Sequence, residues 1–287
     1  MDGGVRSVQY LIWITRGTMI INKATGNKIT PTMFPDGTSQ VWHLDEADLS
    51  STEPWWYFEH EGEIMHLLQY YWVAGIKYVV IPYLPYGRQD KAVENDQTFA
   101  LHPFRAIFRR LLESRTVYTV DLHSAQYRAE FVNIRPDALI EAAFDASGAE
   151  TLVFPDLGAR MRYHDVGRGP MVYFEKKRDA DTGRITSLRI EDETAKEYIQ
   201  GKRILIADDI CDGGMTFIKM AGLLKDMGAA NVDLYVTHAL LTKGVDVLYN
   251  AGINTIHTAQ TLWKEYPKGV IVYPIDEIVR KALGRSR

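Results

Sequence analysis

With a single cysteine, Cys211, in 287 residues, the chain cannot form an internal disulfide, and an intracellular setting is expected. No apolar run approaches the ~20 residues that a bilayer-spanning helix needs. The first residues, MDGGVRSVQYLIW, hold too short an apolar stretch for a secretory signal. Charge of one sign is also scarce. The 33 basic and 37 acidic residues leave a formal net charge of −4, which gives no general pull toward nucleic acid or anionic lipid. Neither nucleic acid nor membrane is an expected partner, and any phosphate ligand must be captured by local groups. What is present is ordinary for a soluble cytoplasmic protein: 46% hydrophobic and 24% charged residues, in a length that suits one large or two medium domains.

The chain is organised around Arg203–Thr216, RILIADDICDGGMT. Ile204–Ala207 reads as a short buried parallel strand, with Asp208 and Asp209 where it ends. Asp212-Gly213-Gly214-Met215-Thr216 then turns into a helix bearing Phe217, Met220, Ala221 and Leu224 at helical spacing, closed by Gly228. Glycines let the backbone approach a ligand, and amides at a helix start attract anions. Two adjacent carboxylates repel a bare phosphate but suit sugar hydroxyls, or a metal ion that accompanies a diphosphate. The stretch therefore describes a seat for a sugar phosphate; the blander alternative is a solvated turn whose acids favour the helix start. Cys211 has no dedicated base partner and reads as a packing residue.

Upstream, residues 8–43 read as β-rich, with strands over Gln9–Ile14 and Met19–Ile21. Phe34-Pro35-Asp36-Gly37-Thr38 is a turn. The run Trp55-Trp56-Tyr57-Phe58 reads as a core or subunit-contact strand in preference to a base-stacking platform. From Glu63, the residues Ile64, Leu67, Leu68, Tyr71 and Trp72 follow the spacing of an amphipathic helix that Gly75 closes. Tyr78–Ile81 is a strand, and the loop after it, Pro82–Lys91, presents Arg88 and Gln89. An exposed salt-bridged loop and a ligand loop fit that spacing equally. Phe104, Ile107, Phe108 and Leu111 mark another helix. The strand Val117–Val120 leads to Asp121 and His123; an imidazole there can ligate metal, yet alone it reads more simply as a hydrogen-bonded structural residue.

Ala138–Glu150 is helical and rich in small residues, the candidate boundary between a domain of residues 1–145 and one of 146–287. Thr151–Phe154 is a strand with Asp156 just past its end. Met171–Phe174 is another, and it runs into the charge-dense segment Glu175–Arg184. That segment is either a solvated hairpin tip or a phosphate-clamping lid. Beyond the central motif, strands at Val232–Val236, Thr255–His257 and Val270–Val272 alternate with helices near Lys243–Asn250 and Ile275–Leu283, the pattern of a parallel-sheet α/β protein.

Five islands, PYLPYGRQDK (82–91), VDLHSAQ (120–126), FPDLGARMR (154–162), EKKRD (175–179) and ADDICDGGMT (207–216), together and in this order resemble the ribose-phosphate diphosphokinase family. The resemblance spans roughly residues 34–282 and implies two phosphoribosyltransferase-like domains, each a mainly parallel sheet flanked by helices. It implies transfer of the β,γ-diphosphoryl group of ATP to the anomeric hydroxyl of ribose 5-phosphate, with Mg²⁺ as cofactor. Carried onto this sequence, Asp208 and Asp209 face the ribose hydroxyls, while Asp212, Gly213, Gly214, Met215 and Thr216 hold the 5-phosphate. Phe34, Asp36, Gly37, Arg88 and Gln89 match ATP-recognition elements, which in the family come from two adjacent subunits. His123 and Asp156 match magnesium-associated positions, and Lys176 and Arg178 match the catalytic root of the lid. Self-association, as a dimer or in the manner of a hexamer of dimers, is implied as well.

The chain departs from the family pattern in places. Residues 1–33 look hairpin-like where a strand and a helix are usual. Thr38 stands in place of a Glu, Gly213 in place of a Thr, and Met215 in place of a small residue. The chain stops soon after Ile278, without the tail that helps form the family's allosteric site, which implies weak or absent inhibition by ADP. These departures keep three other functions open: a relative acting on a bulkier 5-substituted ribose phosphate such as ADP-ribose, a phosphoribosyltransferase, and a non-catalytic regulatory homologue.

Overall fold

Short β-branched runs separated by amphipathic stretches bury both faces of a sheet under helices, and the chain does this twice. The structure, a computed structural model, describes residues 19–89, 100–111, 116–124, 129–178, 185–190 and 193–285. The strand expected over Gln9–Ile14, the ends of the 82–91 and 120–126 islands, and the tip of the charged segment at 179–184 lie outside these residues. Contacts divide the chain into two compact units, Met1–Asn133 and Ile134–Arg287.

In the first unit, β1 (Ile20–Asn22) is followed by the hairpin of β2 (Thr32–Met33) and β3 (Ser39–Gln40), the short helix α1 (Glu46–Ser50) and β4 (Pro54–Trp56). Next come α2 (Glu63–Ala74), β5 (Tyr78–Ile81), α3 (Leu101–Leu111), β6 (Thr116–Val120) and β7 (Phe131–Ile134). The sheet runs β1-β4-β5-β6-β7, with β1 antiparallel to β4 and with β4, β5 and β6 mutually parallel. The aromatic run at 55–57 is core, as its composition indicates: Trp56 is fully buried and stacks on Phe108 at 5.9 Å between ring centroids. A charge buried beside it is satisfied. The Glu63 carboxylate accepts from the amides of Met19 (2.5 Å), Glu59 (2.8 Å) and His60 (3.3 Å) and from Trp56 Nε1 (3.0 Å). Four donors offset the cost of removing that carboxylate from water.

Helix α2 forms as the spacing predicts and ends on Gly75, whose φ of 58° suits a residue without a side chain. Its buried stripe is rotated from the expected one. Glu63, His66, Leu67, Tyr70 and Tyr71 face inward, while Trp72 is 76% exposed. Anchoring Glu63 in the core sets the rotation, and the i, i+3, i+4, i+7, i+8 series then starts one residue earlier.

The second unit opens with α4 (Asp137–Ser147), β8 (Thr151–Phe154), α5 (Leu157–Arg162), β9 (Met171–Tyr173) and the antiparallel hairpin β10 (Glu175–Arg178) and β11 (Ile185–Arg189). A 3-10 turn at Glu193–Tyr198 leads to β12 (Arg203–Cys211), α6 (Met215–Asp226), β13 (Asn231–Ala239), α7 (Asp246–Asn250), β14 (Ile256–Ala259), β15 (Val270–Tyr273) and α8 (Asp276–Ala282). The sheet order is β15-β14-β13-β12-β8-β9, parallel throughout. The boundary expected near residue 145 falls inside α4, which packs on β12 and β13 of this unit. The helix read there is present, and Leu139, Ile140, Ala143 and Phe144 form its buried stripe. Among the described residues, no helix is long and apolar enough to cross a membrane.

The second core includes a titratable group. His257 is 1% exposed between β13 and β15, with Nδ1 3.0 Å from Tyr273 Oη. Burial lowers its pKa from 6.5 to about 4. The folded chain therefore holds His257 neutral where the unfolded chain takes a proton. The resulting stability is full above pH 6.5 and is lost as pH falls through about 4. Urea unfolding at neutral pH and near pH 4 should show a loss of about 3 kcal/mol from this group. His257→Gln should lack that component, and an identical acid dependence in the variant would show that another group carries it.

Candidate active site

Strand β12 lies in the interior of the six-stranded sheet and extends past its apolar run. The ladder with β13 continues through Asp208↔Val236 and Ile210↔His238 to Cys211↔Ala239. The two acids expected at the strand's end thus sit within its last turn of pairing, because polar side chains do not interrupt backbone hydrogen bonds that a neighbouring strand still satisfies. Their side chains are 18% and 4% exposed, and Arg162 Nη1 lies 4.0 Å from Asp208 Oδ1 and 3.1 Å from Asp209 Oδ2. The Asp209 amide donates to Asp208 Oδ1 at 2.9 Å. Burial, and next the neighbouring Asp209 charge, push the Asp208 pKa well above the ordinary carboxylate range, while Arg162 partly opposes them.

Arg162 is the neighbour of these acids that sequence reasoning overlooked. In the sequence it looks like a cation placed to suit the C-terminal dipole of a short helix. The fold instead lays the end of α5 over β12, which makes Arg162 the counter-ion of both acids.

Asp212-Gly213-Gly214 forms the expected turn. Gly214 holds φ at 77°, a conformation that favours glycine, and a Cβ there would press on Leu248 Cδ2 at 2.9 Å. Helix α6 starts at once, with Ile218 N donating to Gly214 O at 3.0 Å. The amides of Met215, Thr216 and Phe217 precede the first intrahelical bond and are available to an anion. Met215 is half exposed at this mouth. Asp212 Oδ1 accepts from Thr242 Oγ1 at 2.6 Å. Cys211 is buried in the core behind the turn, in the packing role that its surroundings suggested.

Lys176 and Arg178 lie on β10, paired with Leu188 and Ile185 of β11, with an irregularity between Lys177 and Arg178. Strand β11 rests on α6, the helix that begins at the glycine turn. Asp156 caps α5 through Ala159 N at 2.9 Å.

In the first unit, Phe34, Asp36 and Gly37 share the β2–β3 hairpin. Phe34 N and Thr38 O pair at 2.8 Å, and Gly37 has φ of 84°. Asp36 Oδ1 accepts from Thr38 N at 3.0 Å and Thr38 Oγ1 at 2.7 Å, and these bonds lower its pKa. Thr38, where the resemblance has Glu, thus orders the aspartate. Phe34 is exposed and meets the edge of Trp42 at 6.0 Å. Arg88 and Gln89 are exposed in the loop after β5, and His123 is half buried in the loop after β6. The parallel pairing of β5 with β6 sends both loops off the same edge of the sheet.

Among the described residues, no group of three or more His, Cys, Asp or Glu side chains is arranged to hold a metal ion. Magnesium is commonly bound through one or two carboxylates plus substrate phosphates. The half-compensated pair of acids in β12 fits an ion of that kind better than it fits a dedicated protein cage.

Residues 152–264 match the phosphoribosyl transferase domain family. The ribose-phosphate pyrophosphokinase of Pyrococcus abyssi is 28% identical over 253 residues, which cover 83% of this chain and 86% of that protein. Ribose-phosphate pyrophosphokinase 2 of Archaeoglobus fulgidus is 30% identical over 192 residues, covering 64% of this chain and 67% of that protein. In fold, the chain is similar to phosphoribosylpyrophosphate synthetase from Mycobacterium smegmatis, with a TM-score of 0.66 at 20% identity over 89% of this chain and 88% of that one.

The raised pKa of Asp208 has a signed consequence. Protonation contributes stability that is complete below the ordinary value of 3.8 and disappears as pH rises through the elevated one. Asp208→Asn, neutral at every pH, should therefore melt above the wild type at neutral pH, with the difference closing in acid. A variant that melts below the wild type at neutral pH would mean that the acid's ionised form supports the fold.

Proposed function

The chain belongs to the ribose-phosphate pyrophosphokinase family, and from that premise we propose that Asp208, Asp209 and the Asp212–Thr216 turn bind ribose 5-phosphate for diphosphoryl transfer from ATP. The products of this reaction are phosphoribosyl pyrophosphate and AMP. One observation carries the site assignment: a buried acid and its part-buried neighbour face one arginine, and the same strand leads directly into a glycine turn and a helix start. Hydroxyl groups can donate to the acids without adding negative charge. The turn's amides suit the 5-phosphate, and the Thr216 hydroxyl adds a further donor.

Phe34, Asp36, Gly37, Arg88 and Gln89 are the proposed ATP contacts. Phe34 offers an exposed ring for a base, and Arg88 a planar fork for phosphate. Magnesium arriving with the nucleotide would neutralise charge on its phosphoryl oxygens, and His123 and Asp156 are the proposed protein groups beside it. The anomeric hydroxyl oxygen attacks the β-phosphorus and gives up its proton to solvent, the bond from that phosphorus to the oxygen it shares with the α-phosphorus breaks, and AMP departs with that oxygen. Negative charge is spread over phosphoryl oxygens in that transition state, so positioning and cationic side chains supply most of the catalysis. Lys176 and Arg178 are the proposed cations, supported by the docking of their hairpin on α6. Self-association is part of the proposal, since the family builds its ATP site from two subunits.

Incubation with ATP, Mg²⁺ and ribose 5-phosphate should yield AMP and phosphoribosyl pyrophosphate by mass spectrometry. AMP formation with ADP-ribose and none with ribose 5-phosphate would overturn the choice of acceptor. Lys176→Ala should lower turnover by ~10²–10³-fold while leaving ribose 5-phosphate affinity nearly intact. Unchanged turnover would remove the hairpin from the mechanism.

A further inference from the structure

We propose that Lys243 is a binding residue for the phosphate of the acceptor sugar, an assignment that rests on the ribose 5-phosphate reading above. Beyond β13 the chain reverses in a tight turn. Leu241 takes φ of 55° and Gly244 takes 76°, and Gly244 N donates to Leu241 O at 2.9 Å. Thr242 and Lys243 occupy the two central positions. A left-handed backbone at a non-glycine residue persists only where its surroundings impose it. Here they do: the Leu241 side chain is buried, and the turn is fastened to the end of β12. Leu241 N donates to Cys211 O at 3.1 Å, Thr242 N to Asp212 O at 3.2 Å, and Thr242 Oγ1 to Asp212 Oδ1 at 2.6 Å. Lys264 Nζ braces the preceding residue by donating to Leu240 O at 2.7 Å.

This fastening lays the stem of Lys243 across Gly213. A Cβ at Gly213 would meet Lys243 Cε at 3.5 Å, Cδ at 3.6 Å and Cγ at 3.8 Å. The stem of a lysine from another strand's loop thus runs within contact distance of Gly213, and its ammonium is one bond beyond Cε.

Charge explains why a cation is wanted there. The strand and turn that receive a phosphate dianion carry three acids, Asp208, Asp209 and Asp212. Arg162 faces the first two, and the helix start supplies only about half a positive charge. Lys264 is engaged with a carbonyl. Among the described residues, Lys243 makes no ion pair, so its charge is available to a ligand. A lysine acts here as a point charge with three donors, which suits a phosphate whose oxygens are already shared among backbone amides.

The test is steady-state kinetics of AMP formation with ribose 5-phosphate varied at saturating Mg²⁺ and ATP, on wild type, Lys243→Met and Lys243→Arg. Lys243→Met should raise the KM for ribose 5-phosphate about tenfold, with kcat changed less than about threefold and the KM for ATP unmoved. Lys243→Arg should recover most of the affinity, and titration calorimetry with ribose 5-phosphate should reproduce the same ranking without turnover. A wild-type KM in Lys243→Met, or an equal rise in the KM for ATP, would overturn the assignment while leaving the function standing. A wild type that forms no AMP with ribose 5-phosphate would overturn the function itself, and this assignment with it.

Discussion

Two carboxylates share one guanidinium in the interior strand of the second sheet. Burial alone would drive one of them to take up a proton, and their mutual repulsion adds to that. Arg162 opposes part of this effect on Asp208. A sugar brings hydroxyl donors, and a metal-bound diphosphate brings a cation with its anion. The fold keeps this unfavourable arrangement because β12 is paired on both sides over its apolar half, and the core beneath it supplies the stability that the acids give up.

The surrounding elements share that constraint. The glycine turn brings backbone amides close to the acids, and Leu248 of α7 holds it from behind by occupying the place of a Gly214 side chain. The turn after β13 is tied to Asp212, and the charged hairpin rests on the helix that the glycines open. Donors, cations and acids are thus carried on separate segments, each fixed by its own packing or hydrogen bonds. The first unit handles a buried acid in the opposite way. Glu63 receives four donors from its own chain and is left with a structural role.

Much of the architecture could be read from local pattern. The strands at 78–81 and 151–154 appear over the expected residues, and the helix before Gly75 ends where its glycine indicates. Such features depend on alternation, apolar runs and backbone conformations that only glycine adopts readily, all of which act over a few residues. Three readings needed correction. The stripe of α2 turned because Glu63 was drawn into the core, which exposed Trp72. The division into units falls ahead of α4, because that helix packs on β12 and β13 of the second unit. Strand β12 ran past its acids because β13 continued beside it.

By itself, the sequence determined the parallel α/β class, the glycine turn with its preceding acids and the order of the motif islands, since each follows from residue types a few positions apart. Tertiary structure alone decided that Arg162 would be the counter-ion of Asp208 and Asp209, that Thr242 would hold Asp212, and that Lys243 would lie across Gly213. Those partners come from segments some 30 to 47 residues distant in the chain. Charge and hydrogen bonding act through space, and only the pairing of β12 with its neighbours and the packing of α5 over it bring these groups within reach.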